Sequence, residues 1–102
     1  MHDLAAIGRT ARVVDVREPQ EWESGHIPYA ELVPMGVVPD QIAAFSGSPT
    51  YVVCRSGNRS ARVCEFLDAQ GIATVNVAGG MLAWIEAGFD IELGAGSGAD
   101  GE

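Results

Sequence analysis

The sequence predicts an α/β domain, a short parallel sheet with helices on both faces. Three observations carry that expectation: short β-branched apolar runs recur along the chain, helical patterns fall between them, and glycines stand where helices should end. Arg12–Val16 (RVVDV) and Thr50–Cys54 (TYVVC) read as buried strands, Ala73–Val77 as a third and Glu31–Val33 as a weaker fourth. Pro19–Ser24 reads as a short polar helix or turn opening at proline, and Asp40–Phe45 as another. The clearest helix is Ser60–Gln70. Its Val63, Cys64 and Leu67 are spaced to line one face, and Gly71 takes the position just past the end. A last helix, Gly80–Ala87, stops at Gly88.

Composition narrows the function classes. A chain of 102 residues, 47% apolar, has room for one core. All six basic residues are arginine and the net charge is −8, so no basic stripe is present to grip a nucleic-acid backbone. No apolar run approaches the ~18 residues that span a bilayer, and Met1–Gly8 carries Asp3 without the basic start of a secretory signal. The expectation is a soluble, cytoplasmic domain with neither nucleic-acid nor membrane partners. Cys54 and Cys64 cannot build a disulfide framework and are expected as free thiols. His2 and His26 stand at no metal-ligand spacing to them, so neither a metal nor a cofactor is expected. Residues 94–102 hold four glycines and no large apolar side chain, which makes 1–93 the expected domain and 94–102 a flexible tail.

One segment carries chemistry. Ligands of parallel α/β sheets gather at the carboxyl ends of strands, and the strand Thr50–Cys54 ends on a cysteine. Arg55-Ser56-Gly57-Asn58-Arg59-Ser60 follows, and then the helix begins. Unpaired amides and the macrodipole of a helix N-terminus favour thiolate over thiol there, as do the two guanidinium groups. Gly57 and Asn58 tolerate positive φ, so the loop can curl its amides inward as an anion nest. Ser60 is expected as the N-cap. Burial alone is the commonest fate of a free cysteine, but a merely packed one needs neither this glycine nor two arginines beside it.

Cys54-Arg-Ser-Gly-Asn-Arg-Ser60 resembles the active-site loop of the rhodanese family of sulfurtransferases. Three other stretches agree in the family's order: Val14-Asp-Val-Arg-Glu18, Gly25-His-Ile-Pro28 followed by Ala30, and Val77-Ala-Gly-Gly-Met-Leu-Ala-Trp84. The resemblance spans residues 12–92 and implies a rhodanese-like fold. It also implies a sulfurtransferase in which Cys54 takes the sulfane sulfur of a small anionic donor such as thiosulfate, or of a persulfide. The Cys54 persulfide, held by Arg55, Ser56, Gly57, Asn58, Arg59 and Ser60, then passes sulfur to cyanide or to a thiol acceptor, including a protein thiol. Related cysteine phosphatases carry Cys-x5-Arg; here the loop arginine, Arg59, comes one place earlier and makes a smaller ring suited to sulfur. The alternative within the same resemblance is a persulfide carrier or interaction module, loaded by a partner protein and poor with thiosulfate.

Asp15 and Arg17, from the first signature, are expected to support the loop rather than react. His26 is expected to hold a turn, since an activated thiolate needs no separate base. Cys64 is expected in the core, too far along its helix to resolve the persulfide as a disulfide. Trp84, Met81 and Ile85 are expected chiefly as core, and Trp22 as packed or half-exposed. Two departures stand out. Little chain precedes the first signature, where an edge strand is common in the family, and Tyr29 replaces the glycine usual after Gly-His-Ile-Pro.

Overall fold

The apolar runs pair into one all-parallel, four-stranded sheet. In the computed structural model, which describes residues 12–46 and 50–94, the strands are β1 (Arg12–Asp15), β2 (Glu31–Leu32), β3 (Thr50–Val53) and β4 (Val75–Asn76), in the order β2-β1-β3-β4. β1 lies centrally, with Val14 opposite both Glu31 and Val52. Among the described residues three α-helices accompany the sheet: α1 (Pro19–Glu23), α2 (Asn58–Ala69) and α3 (Gly80–Glu86).

The period-2 alternation of a strand divides the core in two. Val13, Val53 and Val77 point to one face, where they meet Trp22 of α1 and Met81 and Trp84 of α3. Val14, Val16, Val52 and Cys54 point to the other, against Val63 and Leu67 of α2 and against Val38 and Phe45. Each strand ends one residue earlier than its apolar run. Val16 and Val77 still donate to Val53 O and Val52 O at 3.0 and 2.9 Å.

Asp40–Phe45, expected as a short helix or turn, falls on two 3₁₀ turns, Met35–Asp40 and Ile42–Phe45; Pro39, inside the first, has no N–H to give to an α-helical ladder. Three local expectations change. Ile85, expected chiefly as core, is exposed on α3. α2 starts at Asn58, two residues before the expected start, so Ser60 is not the N-cap. Gly57 is, with φ +102°, and Ser60 sits within the first turn. Of the two loop residues expected to curl the chain, only Gly57 takes the left-handed conformation, Asn58 being already helical. Both helix ends fall where glycine predicted them, with Gly71 at φ +83° and Gly88 at φ +84°.

Trp22 is packed, and the His26 ring stacks on it with centroids 3.7 Å apart. His26 Nδ1 lies 2.8 Å from Trp22 O, and His26 and Glu92 exchange backbone hydrogen bonds, so the histidine holds the turn to the end of the described chain. The Gly94 N–H donates to Glu23 O. The rest of the expected tail, 95–102, lies outside the described residues, as does 1–11, where an edge strand was in question. Among the described residues no helix is long and apolar enough to cross a membrane.

Candidate active site

Because all four strands run the same way, their carboxyl ends share one edge, and Cys54 is the first residue past β3 on that edge. The loop turns at once into α2. An α-helix leaves its first amides without intrahelical partners, and here two of the amides at this end find the sulfur: Cys54 Sγ accepts from Gly57 N–H at 3.1 Å and from Ser60 N–H at 3.3 Å. The Ser60 hydroxyl adds a third contact at 3.4 Å. Burial on its own pushes the Cys54 thiol up. The hydrogen bonds from Ser60 Oγ, Ser60 N–H, Gly57 N–H and Ser56 N–H outweigh it and leave the thiol below its ordinary value.

The loop's other side explains why these amides face the sulfur. The carbonyls of Cys54 and Arg55 point away from it and accept from Met81 N–H at 2.8 Å and Leu82 N–H at 3.0 Å, in the first turn of α3. This close approach requires Gly80. A Cβ there would sit 2.6 Å from Arg55 O and closer still to Cys54 O, and the residue holds φ +56°. Gly57 packs on the same corner, where an added Cβ would lie 3.2 Å from Gly79 N.

A second tier braces the loop. Asn76, on β4, donates from Nδ2 to Gly57 O at 3.2 Å and accepts the Ser60 hydroxyl at Oδ1. At the end of β1, Asp15 and Arg17 form a buried pair. The Asp15 carboxylate accepts from Arg17 Nε at 2.9 Å and Nη2 at 2.8 Å and from the Arg17 backbone N–H, while Nη2 also reaches Gly25 O at 2.8 Å. The pair ties β1 to the turn before His26.

The two loop arginines part company. Arg55 is exposed. Arg59, expected with its loop neighbours to hold the persulfide, is clasped by the Glu21 carboxylate through two contacts of 2.8 Å. The Arg59 guanidinium holds the Glu21 carboxyl down at about 2, and Glu21 in turn raises Arg59. Glu21 Oε1 also accepts the Glu18 N–H, so one carboxylate caps α1 and anchors the loop.

Cys64 is half-buried beside Val63 and Leu67, and burial pushes its thiol up, the opposite outcome to Cys54. Among the described residues no three His, Cys, Asp or Glu side chains gather as metal ligands.

Sequence reasoning missed Glu21, Asn76 and Gly80. Each had a signal: Glu21 stands three residues after Glu18 in a capping pattern, Asn76 is a polar residue inside an apolar strand run, and Gly79-Gly80 is a double glycine at a strand-to-helix junction.

The rhodanese-like domain family model matches residues 2–87. The putative sulfurtransferase YtwF of Bacillus subtilis is 48% identical over 73 residues, covering 71% of this chain and 71% of its own. The thiosulfate sulfurtransferase GlpE of Pseudomonas entomophila is 39% identical over 83 residues, covering 79% of this chain and 76% of its own. Among solved structures, a rhodanese-like domain protein from Staphylococcus aureus aligns with a TM-score of 0.78 at 41% identity, over 88% of this chain and 90% of that one.

Proposed function

The chain belongs to the rhodanese-like domain family, and from that premise we propose that it is a sulfurtransferase working through a persulfide on Cys54, with thiosulfate or a persulfide as donor. The observation that carries the proposal is the Cys54 sulfur held by two main-chain amides and a hydroxyl at the start of α2.

The chemistry takes two displacements. In the first, the Cys54 thiolate attacks the outer sulfur of thiosulfate. The new Cys54 S–S bond forms as the donor's S–S bond breaks, and sulfite leaves with the electron pair. The negative charge then rests on the outer persulfide sulfur, beside a loop whose amides face Sγ. In the second, an acceptor thiolate (or cyanide in an assay) attacks that outer sulfur, and the Cys54 thiolate is released.

Charge near the sulfur favours both steps. Exposed Arg55 can meet an anionic donor, and its local field outweighs a net charge of −8 spread over the whole molecule. Arg59, neutralised by Glu21, orders the loop. Asp15 and Arg17 hold the neighbouring strand end and touch no reacting atom. A thiol that must return to the reduced state at every turnover suits a cytoplasmic setting.

Intact-mass spectrometry after incubation with thiosulfate tests the proposal. Wild type should gain the mass of one sulfur, and Cys54→Ala none. A Cys54→Ala protein that gains the same sulfur would overturn it. Absence of gain on folded wild type would remove thiosulfate as donor.

A further inference from the structure

The Ser60 hydroxyl carries one proton and faces two acceptors. Cys54 Sγ lies 3.4 Å from Ser60 Oγ on one side, and Asn76 Oδ1 accepts from it on the other. The orientation of the Asn76 amide is set by Gly57 O, a carbonyl that can only accept and that takes the Nδ2 donor at 3.2 Å. Oδ1 is thereby turned to Ser60 as a pure acceptor. A protonated Cys54 suits this arrangement: S–H gives to Ser60 Oγ, and the hydroxyl gives to Asn76. A thiolate does not, because it meets a lone pair unless the hydroxyl turns and leaves Asn76.

We propose that Asn76 is a positioning residue that competes with the Cys54 thiolate for the single hydroxyl proton of Ser60. This deepens, and rests on, the persulfide chemistry proposed above. In the free thiolate Ser60 turns to sulfur. Once sulfur is loaded, charge moves to the outer atom, Sγ no longer holds the proton, and the hydroxyl returns to Asn76. Asn76 thus favours the loaded state over the empty thiolate.

The other charges facing this corner are known. Arg59, on α2, feels the charge of Cys54 and has Glu21 of α1 and Asp15 of β1 behind it, while Arg55 lies in the loop itself. The first turn of α3 (Gly80, Met81, Leu82) and strand β4 (Val75, Asn76) contribute no ionisable side chain.

The test is a double-mutant cycle read by the pH dependence of iodoacetamide alkylation at Cys54, located by peptide mass so that Cys64 does not interfere. Asn76→Ala should move the alkylation midpoint down by about 0.4–1 pH unit, the effect of one ordinary hydrogen bond gained by the thiolate. In a Ser60→Ala background the same change should lose that downward shift, leaving only the effect of the lost Gly57 O contact. An upward or absent shift in the parent, or an equal shift in both backgrounds, would overturn the proposal. If Asn76→Ala does not fold, the isosteric Asn76→Asp serves: its carboxylate should raise the midpoint more with Ser60 present than without, and equal shifts would overturn the proposal. Alkylation needs no sulfur donor, so failure of this cycle and failure of sulfur loading are separate results.

Discussion

At the scale of single residues, the site depends on positions where a side chain is absent as much as on Cys54. Gly80 lets the carbonyls of Cys54 and Arg55 come down on the first turn of α3, and that contact aims the loop's amides at the sulfur. Gly80→Ala places a methyl group against two carbonyl oxygens in a left-handed conformation. Strain of this kind costs about 1–3 kcal/mol before the steric clash is added. The urea midpoint should fall accordingly and Cys54 alkylation at neutral pH should slow. Gly36→Ala is the control, since a Cβ there meets nothing within 4 Å; a comparable loss in both variants would remove the close approach as the cause. The two cysteines make the same point about environment. Both are partly or fully buried, yet only Cys54, whose several hydrogen bonds outweigh burial, is pulled toward thiolate; at Cys64 burial outweighs the Thr74 hydroxyl.

At the scale of elements, the loop is stapled to a helix distant in sequence. Glu21 of α1 and Arg59 of α2 are 38 residues apart and meet through two hydrogen bonds. Glu21 titrates at about 2 when folded, against an ordinary 4.5. A depressed carboxylate contributes stability that is present above the unfolded value and lost as pH falls toward the folded one. Wild type should therefore lose stability relative to Glu21→Gln between about pH 4.5 and 2, with glutamine still able to accept the Glu18 N–H. Urea unfolding across that range reads the difference, and parallel curves for the two proteins would show that the pair contributes nothing. The Asp15–Arg17 pair differs in kind. It is buried and local, and it joins β1 to the Gly25 turn rather than to the sulfur.

At the scale of the whole molecule, a four-stranded sheet is held between two apolar layers, and the layer behind α2 seats Cys54 itself. Phe45 is among the largest fully buried side chains of that layer, carried by a 3₁₀ turn rather than a long helix. Phe45→Ala should cost about 3–5 kcal/mol, the range for an aromatic removed from a packed core. Domains of this size are stable by only ~5–15 kcal/mol, so the urea midpoint should drop sharply at an unchanged m-value. A drop under about 1 kcal/mol would mean that the turn collapses to fill the space.

The sequence by itself determined the class of sheet, the strand that ends at Cys54, and the glycine ends of α2 and α3. Each of these is a local property: β-branched runs, an unpaired helix start, a residue free to take positive φ. It did not disclose the 3₁₀ turn Met35–Asp40, which carries Pro39. Nor did it reveal that Gly57 rather than Ser60 caps α2, leaving Ser60 free to face the sulfur. Tertiary structure alone decided which partners reach the loop. Glu21, Asn76 and Gly80 come from three separate elements, and only the sheet order β2-β1-β3-β4 with its covering helices brings them to one edge. A hydrogen bond acts over about 3 Å, whereas the residues it joins here lie 16 to 38 positions apart, so no local pattern in the chain encodes the pairing.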